Sequence, residues 1–173
     1  PYFVAQHGLV TPLAPPLTPG ATLLAWSETD AEFWKSGRTD VEHHVVGSQL
    51  LWNARVGYED RSTRSSTNEA EPLTYLGQMH AAELPRPQLV RAAAAFCREH
   101  DATYRPHPSE KDKLSRLAHA AYRRAGIAVD GSRPLNELTG PVVSVFSTGV
   151  LEAAAQGRDA WVDFPRPPAW LEE

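Results

Sequence analysis

The chain is poor in cysteine: Cys97 is the only one in 173 residues. An internal disulfide framework is therefore excluded, and a reducing, cytoplasmic setting is expected. No apolar run approaches the roughly 18–20 residues that a membrane-spanning helix needs. Any membrane association is then peripheral and made through other parts of the polypeptide. The N-terminus lacks the basic region and apolar stretch of a secretory signal. A surplus of positive charge is missing too, since 17 Lys and Arg face 21 Asp and Glu, for a formal net charge of −4. Phosphate backbones attract clustered cations, so this balance argues against a non-specific nucleic-acid or membrane binder. Local basic groups can still meet one phosphate ligand. There is no GxGxxG and no Walker loop. No Cys/His or carboxylate spacing points to a metal, and the adjacent His43 and His44 point to opposite faces of an expected strand. No metal or cofactor is expected.

What the chain does have is an alternation of short apolar strands and helix-like stretches, with 42% apolar residues, enough for a sizeable core. Residues 1–20 give a short strand ending in Gln6-His7-Gly8, then a loop carrying Pro12, Pro15, Pro16 and Pro19. Prolines lack the donors a ladder needs, so this loop is expected to wrap a surface. Residues 21–53 read strand, helix, strand: an apolar run around Leu23 and Leu24, a helix capped by Ser27 and closed by Gly37, then a strand over 41–47. Residues 54–71 are polar, with little to bury, and read as a linker that is mobile over 60–71.

From residue 72 the alternation is regular. Strands are expected at 73–76, 102–105, 127–129, 141–145 and 160–164, and helices at 86–100, 109–125 (capped by Ser109), 134–138 and 148–156, before a Pro-rich tail over 165–173. Strands spaced by helices imply right-handed βαβ units. The fold class is thus α/β: a Rossmann-like parallel sheet with helices on both faces over 72–164, preceded by the closing βαβ segment of another α/β domain over 1–53. Trp26, Trp34, Trp52 and Trp161 are expected to pack the core, Trp170 to make a surface or interdomain contact, and Cys97 to be buried and inert.

Open parallel sheets bind ligands beyond the carboxyl ends of their strands. That rule selects the loops at Gly77-Gln78-Met79-His80, Pro106-His107-Pro108, Asp130-Gly131-Ser132-Arg133 and Phe146-Ser147-Thr148-Gly149. Ser147 and Thr148 offer hydroxyls where a helix opens and its N–H groups face outward, Gly149 permits close approach, and Glu152 lies one turn on, in reach of ribose hydroxyls. The bland reading of Ser147 is a plain helix cap, and that of Glu152 solvated surface. His107, between two prolines, is a pre-positioned imidazole suited to a leaving phosphate. His7, at a strand end beside Gly8, is a candidate general base, its alternative being a loop histidine.

These stretches carry a resemblance. The series strand–Gln-His-Gly, then LLAWSETDAEFW, then VVGS, resembles the region closing the N-terminal half of GT-B enzymes. YRPHPSEKD resembles the His-Pro motif, and VVSVFSTGVLEAAAQGR the Ser/Thr motif, of bacterial polysialyltransferases and CDP-glycerol glycerophosphotransferases. The resemblance follows nearly the whole chain in order, on short motifs. It implies a GT-B transferase whose C-terminal half binds a CMP- or CDP-activated sugar or polyol donor and passes it to a sugar or polyol-phosphate acceptor in surface polysaccharide or polyol-phosphate synthesis. By position it places His107, Ser147 and Thr148 on the donor phosphate and His7 facing the acceptor; Gly77 and Gln78 are added to the donor site by the strand-end rule alone. Two departures stand out: the acidic motif that supplies the base in polysialyltransferases is absent, and so is the helix that usually crosses back to the first domain. With a start at Pro1 rather than Met, they make a piece of a longer enzyme the expectation. The alternatives are a UDP-sugar GT-B enzyme or a UDP-N-acetylglucosamine 2-epimerase relative, and a non-catalytic nucleotide-binding domain.

Overall fold

Thr22–Ala25 alternates half-buried and buried residues, the pattern of a strand that packs one face. In the computed structural model it is the middle strand (β2) of a three-stranded parallel sheet, flanked by β1 (Phe3–Ala5) and β3 (Glu42–Val45). The structure describes residues 2–62, 71–80 and 84–164, with 58–62 as backbone alone. It divides into two units, 1–52 and 53–173.

In the first unit, helix α1 (Glu28–Lys35) connects β2 to β3. Ser27 caps it by accepting from the Asp30 N–H, and Ser36 and Gly37, at φ 49° and 75°, end it in the left-handed region. The core is Leu17, Leu23, Ala25, Ala31 and Val41, with Val4 and Trp34 packed against it. The Pro-rich loop does wrap this unit: it delivers Leu17 to the core, and the Pro15 carbonyl accepts from Trp34 Nε1 at 3.0 Å.

Helix α2 (Gln49–Ser62) then occupies the first half of the stretch read as linker. The polar composition hid it, because α2 has almost no apolar stripe and buries Ala54 rather than a row of large side chains. Its start is fixed locally, by Ser48 Oγ accepting from the Leu51 N–H. The expectations for residues 63–70, for the tail and for Trp170 lie outside the described residues.

The second unit contains β4 (Thr74–Leu76), α3 (Arg86–Glu99), β5 (Thr103–Arg105), α4 (Lys113–Arg124), β6 (Val142–Ser144), α5 (Thr148–Ala155) and β7 (Ala160–Val162). Its four strands are parallel, in the order β5-β4-β6-β7. The strand expected at 127–129 is reduced to one bridge, Val129 to Tyr104. Gly126, at φ 82°, turns the chain sharply out of α4, leaving only residues 128–130 to bond with Tyr104. Counting that bridge, the elements follow the spatial sequence 3-2-1-4-5 of a Rossmann-like sheet. The path runs one way from β4 to β5 and the other way from β6 to β7. Right-handed crossovers therefore set α3 and α5 on opposite faces.

Strands β4 and β6 are buried at every residue, as central parallel strands are. Leu76, Val142, Val150 and Ala153 form one packed cluster, and Tyr75 stacks between Phe96 and Tyr104. Helix α4 begins later than expected: Asp112, not Ser109, is its cap, accepting from the Leu114 and Ser115 N–H groups while Arg86 pairs with its carboxylate. Two tryptophans also depart from expectation. Trp52 and Trp161 are 67% and 41% exposed, while Trp26 and Trp34 are half-buried. Cys97 is buried in α3, and burial pushes its thiol up to about 12, so thiolate chemistry is suppressed. No described helix is long and apolar enough to cross a membrane.

Glu71 ties the start of β4 to the turn before β6. Its carboxylate accepts from Arg133 at 2.8 Å, from the Thr139 N–H at 2.8 Å and from the Gly140 N–H at 3.4 Å. The Arg133 bond, opposed in part by burial, holds its pKa down to about 2. A carboxyl whose folded pKa is depressed stabilises the fold above its unfolded pKa, about 4.3, and that share is lost as the pH falls toward the folded value. The urea midpoint difference between the wild type and Glu71→Gln is thus expected to be full at neutral pH and to shrink through the acid range. An undiminished difference in acid would contradict the assignment.

Candidate functional site

Parallel strands deliver their carboxyl ends to one side, so the loops after β4, β5 and β6 share an edge of the second unit's sheet. His107 and Ser147 lie at that same end, as the alternation predicts. The reversal of direction between β4 and β6 makes a topological switch point, the place where open α/β sheets leave a crevice for ligands.

Gln78, just past β4, reaches across to the loop after β6. Its Oε1 accepts from the Phe146 N–H at 2.7 Å. A main-chain N–H can only donate, which fixes the amide's orientation and leaves Nε2 as the donor end. Gly77 beside it is buried and packs under the loop rather than opening toward a ligand. A Cβ there would lie 2.3 Å from Tyr104 Oη and 2.7 Å from Glu110 Oε1. Gly149 is similar. Its missing side chain is replaced by Leu76 Cδ1 at 2.7 Å and Leu135 Cδ2 at 2.8 Å, and its N–H is held by Ser147 Oγ. The lack of a side chain at Gly149 thus has a packing reason of its own, and Gly149→Val acts on the core.

Ser147 caps α5, and Thr148 is the first residue of that helix; both are half-buried. Glu152, one turn on, is half-buried, with its pKa raised by burial. It lines a cavity of about 220 Å³ with Asn53, Ala54, Gly57, Leu135 and Asn136, and neither His107 nor Ser147 borders it.

His107 is exposed on the β5–α4 loop. Its Nδ1 accepts from the Ser109 N–H at 3.2 Å and lies 2.6 Å from Ser109 Oγ. With Nδ1 accepting, the neutral ring carries its proton on Nε2 and presents a donor. The His80 ring, from the β4–α3 loop, has its centroid 4.3 Å away. Burial and the His80 imidazole lower the His107 pKa, and Glu110 works against them. The loop at 130–133 abuts the same region, with Gly131 against Pro106.

Beneath these loops lies a polar cluster that sequence reasoning missed. The Glu110 side chain is wholly buried, and its carboxylate accepts from Tyr104 Oη at 2.9 and 3.1 Å and from the Met79 N–H at 3.1 Å. His119 Nε2 meets the other oxygen at 2.8 Å. One carboxylate therefore ties the β4 loop, β5 and α4 together. His119 is mid-helix as expected, but it is a buried partner rather than a neutral position. The spacing of Glu110 and His119 matches no helical period, since the helix starts only at Lys113, so no periodic signal marked the pair.

In the first unit, His7 follows β1 and is exposed. Buried Gln6 accepts from the Trp26 N–H at 2.8 Å and donates to the Gly8 carbonyl at 3.1 Å, holding the loop in which His7 sits. His43 bonds Glu28 at 2.8 Å and Lys35 at 3.1 Å, and Lys35 also pairs with Glu32. Glu28, Glu32 and His43 bring ligand atoms within 4.8 Å of one another, a cluster already met by the Lys35 ammonium. No family model matches the chain, and no curated protein or solved structure does.

Proposed function

We propose that the second unit holds the phosphate-bearing end of a nucleotide-activated donor, CMP- or CDP-linked, for a GT-B-type transferase of surface polysaccharide or polyol-phosphate synthesis. The observation that carries this reading is the switch-point edge. There His107 Nε2–H, Gln78 Nε2 and the Ser147 and Thr148 hydroxyls all stand on loops at one end of a Rossmann-like sheet. Neutral donors at the mouth of such a sheet suit phosphate and ribose oxygens. His107 donates to the donor phosphate and protonates the departing nucleotide, Ser147 and Thr148 bind the phosphates, and Gln78 orients the nucleotide. His7 serves the acceptor side on the strength of the resemblance.

A nucleotide panel of CMP, CDP, UDP and GDP, read by thermal shift, tests this. A ligand that binds only the folded state at 100 times its Kd adds about 2.7 kcal/mol of stability, so cytidine nucleotides are expected to raise the Tm most. A preference for UDP would redirect the reading to UDP-sugar enzymes, and no shift with any of the four would remove it. Combining Ser147→Ala with Thr148→Ala is expected to weaken binding by about a hundredfold or more, since hydrogen bonds to charged groups contribute about 1.5–3 kcal/mol each. Because Ser147 also caps α5, the double variant should lose about 1 kcal/mol of stability, a cost that urea unfolding measures separately. Unchanged calorimetric affinity would leave Ser147 a plain cap.

A further inference from the structure

We propose that His80 and His107 together form a proton-linked oxyanion clamp, which binds a dianionic phosphate group by taking up protons as it binds. This deepens the donor reading above and rests on it for the identity of the natural ligand. Three observations carry it. The two imidazoles come from different loops, after β4 and β5, and their centroids lie 4.3 Å apart with both residues exposed. The loops are held in this relation from below, because Glu110 bonds the Met79 N–H next to His80 and sits three residues past His107, its own N–H donating to the His107 carbonyl. The His107 tautomer decides what the pair can hold. With Nδ1 accepting from the Ser109 N–H, Nε2 bears a proton and cannot offer a lone pair to a metal. An acceptor-rich anion fits this edge, and a cation does not.

The coupling follows from charge. Burial and the neighbouring His80 imidazole oppose protonation of His107. The groups acting on His107 are His80 from the β4–α3 loop and Glu110 from its own loop; Asp130 instead interacts with Arg105 and Arg133. A dianion set against both rings reverses the balance and favours protonated His107, whose added proton sits on Nδ1 and turns from the Ser109 N–H to Ser109 Oγ, 2.6 Å away. Binding must then tighten as the pH falls through the His107 titration.

The test follows the histidine C2–H resonances of the full chain, with sulfate as the probe because it stays a dianion throughout. Sulfate is expected to raise the pKa of His107 by about one unit. Sulfate affinity should be about tenfold greater at the acid end of the titration. In His80→Gln, the sulfate-induced shift at His107 and the pH slope should both fall by more than half. Absence of any sulfate shift at His107 overturns the proposal, as does an undiminished His107 shift in His80→Gln. Calorimetry with CMP above the pKa of its own phosphate separates the two readings. Nucleotide binding without the sulfate shifts keeps the donor site and removes the clamp. Sulfate shifts without binding of any nucleotide in the panel keep the clamp and remove the nucleotide.

Discussion

Glu110→Ala is expected to lower the stability of the second unit by about 3–5 kcal/mol, the cost of stripping one partner from a buried charged cluster. The carboxylate satisfies Tyr104 Oη, the Met79 N–H and His119 Nε2 at once, and its removal leaves three buried polar atoms facing a void. In thermal unfolding the loss should appear as a drop of roughly 10 °C or more. His119→Ala should also destabilise, by a smaller amount, because it orphans only one carboxylate oxygen. Glu110→Gln can keep the Met79 and Tyr104 bonds through its amide oxygen, and so should fall between wild type and alanine. A Glu110→Ala protein within about 1 kcal/mol of wild type by urea unfolding would mean that the cluster is relaxed by water or rearrangement.

His107→Ala should act in the opposite way, on chemistry rather than on the fold. The ring is exposed and, among the described residues, hydrogen-bonds to Ser109, so the Tm is expected to stay near that of the wild type. Transfer from a nucleotide-activated donor should fall by about 100- to 10,000-fold, the usual cost of losing a positioned acid–base group. His107→Gln sharpens the test, since its amide places a donor near the imidazole Nε2 position but cannot deliver a proton. Retained nucleotide affinity with lost turnover in that variant is the expected split. Transfer at wild-type rates in His107→Ala would take His107 out of the mechanism. His119→Ala cannot serve as a silent comparison, because His119 is buried against Glu110. His100, exposed at the end of α3, serves instead.

The strands were legible because β4 and β6 are short apolar runs between turn residues, and the helices because Gly37 and Gly126 punctuate them. From that alternation alone, His107 and Ser147 fall at one end of the sheet. Helix α2 was illegible because it forms with hardly any apolar stripe. The cap at Asp112 was missed because Ser109 looked equally suitable, and only the turn that ties Ser109 to His107 separates them. The glycines misled for a steric reason: Gly77 and Gly149 make room for neighbouring side chains, which a sequence cannot distinguish from room for a ligand. The Glu110 cluster and the His80–His107 pair are products of tertiary folding, each joining residues from separate elements.

The single bridge at Val129 bears on how this unit behaves at high concentration. A sheet normally ends in a row of unpaired N–H and C=O groups, a template on which another polypeptide can nucleate fibrillar stacking. Beyond β5, residues 128–130 take up both Tyr104 main-chain groups, so the rim on this side of the sheet is only one residue wide. So short a rim gives a foreign strand no ladder to extend. Lengthening it, by replacing Gly126 and Gly131 with β-formers, would trade that protection for an exposed sticky border.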